Sequence, residues 1–138
     1  AGLRERGDIV LVPPMSAAAD ALAAGLRGIG LRAEVLPMPD RAMLDLGRRH
    51  TSGKECLPLA ITLGSFLQRV AREDRPEQGF GLLMPLAQGP CRFGLYQLLQ
   101  KLLLEQLARA AGSRFGRRRT GSTFSKGVAP SGPCRWPA

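Results

Sequence analysis

Cysteine is the residue type in this chain with the most chemistry to offer. Cys56 stands in the run Lys54-Glu55-Cys56-Leu57-Pro58, and Cys91, 35 residues later, in Gly89-Pro90-Cys91-Arg92-Phe93-Gly94. Each falls just ahead of a segment that reads as a helix. A helix N-terminus carries partial positive charge and so favours the thiolate, the form of cysteine that binds metal. Two such thiolates in one small domain point to a metal or iron–sulfur site. The gap between them excludes a local zinc knuckle, which needs close pairs such as C-x2-C. Two thiolates alone are an incomplete set for either zinc or an iron–sulfur cluster. The competing reading is that both are inert core thiols, since free cysteine is among the most buried residue types.

Other candidates are weaker. Cys134 is the third cysteine, in Ser131-Gly132-Pro133-Cys134-Arg135, within a stretch that carries no structure signals. His50 is the only histidine, and a lone histidine in a basic loop reads as solvated rather than catalytic. Gly47 to Glu55 resembles a phosphate-binding loop, with Gly53-Lys54 ahead of a helix. It fails on spacing, having five residues between the glycines where the P-loop has four. It also fails on chemistry, because Glu55 stands where Ser or Thr is needed and a carboxylate repels phosphate. The run Arg117-Arg118-Arg119 could meet an acidic surface, but it lacks the interleaved aromatics of single-strand binders.

These residues need a scaffold. The chain has 138 residues, enough for one domain, and a hydrophobic fraction of 44%, ordinary for a globular protein. Residues 1–110 hold 14 Lys/Arg against 11 Asp/Glu, a net of +3, and residues 111–138 supply the remaining +6 of the total +9. The basic character therefore belongs to the last stretch and says little about what the first 110 residues bind. Three cysteines, an odd count, argue against a disulfide framework and for reduced thiols, so a cytoplasmic setting is expected. No run approaches the roughly 20 apolar residues that span a bilayer.

Asp8 to Val12 is a short apolar, β-branched run that reads as a buried strand, stopped by Pro13-Pro14. Ser16 then caps an alanine-rich helix from about Ala17 to Arg27, ended by Gly28 and Gly30. Leu31 to Leu36 alternates and reads as a second strand. Strand, helix and strand make a βαβ unit, the module that builds parallel sheets. Ala42 to Leu46 could form a short helix, and Gly47 to Gly53 reads as a loop. Leu57 to about Glu73 is helical, with Pro58 in the first turn and Leu59, Leu63, Phe66, Leu67 and Val70 on one face. After a loop from Asp74 to Gly79, Phe80 to Leu86 reads as a third strand, and a helix follows from about Phe93 to Ala111. The leucines of that helix, at 95, 98, 99, 102, 103, 104 and 107, are too many for one stripe and call for partners on more than one side. Residues 112–138 show no apolar periodicity and read as a disordered basic tail. In an open parallel sheet, ligands bind beyond the carboxyl ends of the strands. Cys91 follows the third strand and Cys56 precedes a helix returning from the same edge, so both thiols are expected to face one crevice.

The runs Gly53-Lys54-Glu55-Cys56-Leu57-Pro58 and Met84-Pro85-Leu86-Ala87-Gln88-Gly89-Pro90-Cys91-Arg92-Phe93-Gly94-Leu95-Tyr96 resemble the CoA-protein-activase family. That family is related to the 2-hydroxyacyl-CoA dehydratase subunits and to benzoyl-CoA reductase-like proteins. The Gly-Pro-Cys-Arg-Phe-Gly-x-Tyr stretch is the specific part, and the similarity covers about residues 8–111. It implies α/β domains of Rossmann-like, three-layer form and a [4Fe-4S] cluster held by cysteines. It also implies low-potential electron transfer driven by a partner actin/Hsp70-like ATPase activator domain. The family's two cysteines map onto Cys56 and Cys91, and its further downstream cysteine has no counterpart here.

The expectation is thus a partial α/β iron–sulfur module over residues 1–111, not catalytic alone, with Cys56 and Cys91 as cluster ligands and an incomplete ligand set. The switch in character after about Ala111 suggests a truncated product with a shifted reading frame, completed in its relatives by further α/β structure. Two alternatives are a metal-free structural or interaction domain, and a small basic nucleic-acid binder acting through its tail.

Overall fold

The computed structural model describes residues 2–73, 78–85, 90–110 and 124–128, with 107–110 and 124–128 described as backbone only. Its elements are α1 (Leu3–Arg6), β1 (Ile9–Val12), α2 (Ala17–Gly28), β2 (Arg32–Val35), α3 (Arg41–Arg49), α4 (Leu57–Ala71), β3 (Gly79–Leu83), a 3-10 turn (Arg92–Leu95), α5 (Tyr96–Ala110) and β4 (Phe124–Val128). The strands form one mixed sheet in the order β2-β1-β3-β4. β1 pairs in parallel with both β2 and β3, and β4 pairs antiparallel with β3.

The three parallel strands follow from the apolar runs. All four residues of β1 are buried, as the centre of a sheet covered on both faces requires. The two faces separate by alternation. Ile9 and Leu11 join Phe80 and Leu82 in a core completed by Leu59, Leu63, Phe66, Leu67 and Val70 of α4, together with Tyr96 and Leu104 of α5. Val12 turns the other way, onto Ala19 and Ala23 of α2, with Ala33 and Val35 of β2 beside it. The fold is therefore mixed α/β, with α2 on one face of a short parallel sheet and α4 and α5 on the other.

Helix boundaries obey local chemistry. Ser16 caps α2 by accepting from Ala18 N–H at 3.5 Å, and Asp40 caps α3 by accepting from Met43 N–H at 2.8 Å. Pro58 sits in the first turn of α4, where its missing N–H costs nothing.

Several expectations are corrected. The one-turn helix α1 was not anticipated. The stretch Gly47 to Gly53, expected as a loop, starts inside α3, which continues to Arg49. Gly47 does not end the helix. It lies where α3 crosses α4: a Cβ there would stand 2.7 Å from the Ala60 carbonyl carbon and 3.1 Å from Gly64 N. The third strand ends at Leu83, short of the expected Leu86, which lies outside the described residues. Of the stretch 112–138, Phe124–Val128 are described as β4, and the other residues, Cys134 among them, lie outside the described residues.

On α5, Leu104 is buried and Leu99 and Leu103 lean on the core, while Leu98 and Leu102, with Leu95 at the end of the 3-10 turn, are 55%, 47% and 61% exposed. Spaced 3 and 4 apart, these three form one outward stripe. Among the described residues, no helix is long and apolar enough to cross a membrane.

Candidate functional site

Both cysteines stand where a helix begins. Cys56 is the N-cap of α4, extended at φ −72° and ψ 150°, and its carbonyl accepts from Leu59 N–H at 3.1 Å. Cys91 is the N-cap of the 3-10 turn that leads into α5, at φ −74° and ψ 133°. Neither uses its side chain as a cap, so both sulfurs are left for other contacts. Cys56 is half-buried and packs against the main core, whereas Cys91 is exposed.

What joins them is Tyr96, the first residue of α5. Its hydroxyl is hydrogen-bonded to Cys56 Sγ. Its ring is 5% exposed and meets Phe93 edge-on, with centroids 5.1 Å apart and planes at 68°. The phenol is held well above its ordinary ionisation range. Burial contributes most, followed by the hydrogen bond to Cys56 and by the electrostatic influence of Cys56 and Cys91. Of the two sulfurs, Cys56 touches that hydroxyl directly.

The two cysteine segments are also tied by backbone. Arg92 Nη1 donates to the Lys54 carbonyl at 2.9 Å, linking the residue after Cys91 to the residue two before Cys56. Above Tyr96, the fully buried Gln100 donates from Nε2 to Thr62 Oγ1 at 2.9 Å, and Thr62 Oγ1 bonds the carbonyls of Pro58 and Leu59, each at 3.0 Å. These contacts clamp α5 against the first turns of α4.

The loop before Cys56 is occupied by its own acid. Ser52 Oγ donates to Glu55 Oε1 at 2.9 Å. Glu55 is held below the usual carboxylate range, chiefly by hydrogen bonding to its own backbone N–H, with Ser52 and Gly53 adding to it against some desolvation.

His50 is the C-cap of α3. Burial, and then the charge of Arg49, hold it below its ordinary value of 6.5. It does not join the thiols: among the described residues, no three His, Cys, Asp or Glu side chains gather as a metal site would require. The described donor set is two cysteine sulfurs with a tyrosine oxygen beside them. Soft thiolates suit iron–sulfur clusters and zinc, but each normally takes four protein ligands in a structural site. The described residues therefore fit half of such a site.

Tyr96 is a neighbour of Cys56 that spacing alone does not reveal. Its signal in the sequence is that it is the chain's only tyrosine, five residues after Cys91 at the start of a helix. Comparisons with family models, with curated proteins and with solved structures gave no match.

Proposed function

We propose that this chain is an iron–sulfur electron-transfer module of Rossmann-like layering, in which Cys56 and Cys91 anchor one side of a cluster whose remaining ligands lie outside the described residues. The carrying observation is placement: Cys56 and Cys91 stand at the starts of α4 and of the 3-10 turn, and the Arg92 side chain ties their two segments together. The resemblance of the two cysteine runs to the CoA-protein-activase family supports the same reading and suggests an actin/Hsp70-like ATPase as electron donor. It does not suggest independent catalysis.

A bound cluster would supply one-electron redox chemistry. The chain's own residues would do the rest. The starts of α4 and of the 3-10 turn favour negative charge on the sulfurs. The core around Cys56 excludes water from one side, which tunes a cluster's potential. Arg92 holds the two cysteine segments in register.

Anaerobic reconstitution with iron and sulfide, followed by iron counting, tests the proposal in wild type, Cys56→Ala and Cys91→Ala. Wild type should retain iron and each variant should lose most of it. Equal iron in all three would sink the reading and favour a metal-free interaction domain, in which Cys56 is a core residue bonded to Tyr96.

A further inference from the structure

We infer that the outer face of α5 is self-complementary and that two copies of this chain pair through it, antiparallel about a twofold axis near Leu98. The inference is independent of metal binding and of the cysteines.

The face is a single row of side chains. In a 3-10 turn, residues three apart lie one above the other, so Arg92 and Leu95 stand in line at the start of the row. Leu98, Leu102 and Glu105 continue it at steps of 3, 4 and 3, which keeps them on one side of a helix. The opposite side is the docked one, where Tyr96, Gln100 and Leu104 are buried. All three leucines of the row are exposed. Apolar residues at alternating steps of three and four form the seam by which one helix packs on another. Arg92 is exposed as well, and its bond to the Lys54 carbonyl occupies a single donor of a guanidinium that has five.

The order of charge along the row selects the occupant. The row is basic at its first residue, apolar through its middle and acidic at its last. Positions 92 and 105, and positions 95 and 102, lie equally far from the point between 98 and 99. A second copy laid antiparallel therefore sets Leu98 beside Leu98, each Leu95 on a Leu102 and each Arg92 on a Glu105. Every unlike contact occurs twice, as a twofold interface requires. A parallel pair would oppose Arg92 to Arg92 and Glu105 to Glu105, so charge disfavours it. Three leucines and one ion pair per copy make a small interface, in the class below about 1,200 Å² in total, so the dimer is weak and forms as concentration rises.

Sedimentation of the whole reduced chain over a concentration series tests this, with reductant present so that the exposed Cys91 cannot crosslink two copies. Wild type should pass from monomer to dimer. Leu98→Glu, at an exposed position, should keep the wild-type circular dichroism spectrum and stay monomeric, because it sets two carboxylates face to face. Arg92→Glu and Glu105→Arg should each weaken association by about tenfold, since each replaces both symmetric ion pairs by like-charge contacts. The double variant Arg92→Glu/Glu105→Arg should recover association to within about threefold of wild type, because the pairs re-form with exchanged sign. A wild type that is monomeric at every concentration would overturn the inference. So would a dimer that survives Leu98→Glu, or a double variant that associates no better than the single ones.

Discussion

Gly64→Ala should destabilise this protein although it adds only a methyl group. Gly64 lies in α4 against α3, and a Cβ there would land on the Met43 carbonyl oxygen, 2.8 Å from the Met43 carbonyl carbon and 2.9 Å from Gly47 N. All three are backbone atoms and cannot rotate away. Carbon atoms rest at about 3.5–4.0 Å, so the helices must part by roughly 1 Å. A gap of that size forfeits about a quarter to a half of the dispersion energy across the crossing. Overpacking of this kind costs about 1–3 kcal/mol, and a clash with backbone on both sides belongs at the upper end. Against this, alanine improves helix propensity by about 1 kcal/mol. The net loss is about 2 kcal/mol, read as a lower urea midpoint at unchanged slope. Gly25→Ala is the control. Gly25 is also helical and exposed, but no atom lies within 4 Å of its would-be Cβ, so only the propensity gain of about 0.5–1 kcal/mol remains. The same substitution should thus lower stability at one site and raise it at the other. A Gly64→Ala chain within about 0.5 kcal/mol of wild type would refute the reasoning, because a change that small is typical of unconstrained surface sites.

Two further predictions concern charge. His50 is protonated less readily in the folded chain than its ordinary value of 6.5 allows. The unfolded state therefore takes up the proton first, and the stability His50 contributes is present above about pH 6.5 and lost as the pH falls through its folded value. His50→Gln should flatten the part of the stability profile on the acid side of about pH 6.5, and an unaltered profile would count against it. Arg92→Ala removes the bond to the Lys54 carbonyl. Being exposed, the bond contributes no more than about 1 kcal/mol to stability, yet its loss should speed removal of iron from reconstituted protein by a chelator. Identical release rates would show that the tie does not hold the two cysteine segments together.

The fold was legible where pattern and physics coincide. Ile9 to Val12 could only be a strand buried on both faces, and Ser16 and Pro58 marked helix starts that the backbone then used. Gly47 shows why the rest was not. Glycine ends a helix by adopting a left-handed conformation, or it lets two helices touch, and a single sequence does not separate these uses. Gly47 serves the second, and its partner Gly64 is 17 residues away, so the contact that explains both is invisible until α3 and α4 are placed. The stripe at Leu95, Leu98 and Leu102 was legible as surplus apolar surface on α5, and the structure shows which leucines carry it. Of the candidate site, the cysteines announced themselves by type and context. Tyr96 entered only as the last residue of the Gly-Pro-Cys-Arg-Phe-Gly-x-Tyr stretch, and its contact with Cys56 was not legible, because it depends on where α5 begins relative to α4.

That packing makes the site asymmetric, with a chemical consequence. Cys56 is set by the core: α4 is fixed on one side by its crossing with α3 and on the other by Leu59, Leu63, Phe66, Leu67 and Val70. Moving α4 outward by roughly 1 Å, as the Gly64→Ala clash demands, would carry Cys56 away from a Tyr96 that stays with α5. Cys91 is set by a short 3-10 turn and faces solvent. The same variant should then weaken iron retention more than its loss of stability alone accounts for. Comparing iron content in Gly64→Ala with that in a variant equally destabilised at a distance from the site separates the two contributions. Equal iron in both would mean that the crossing supports the fold without aiming the sulfur.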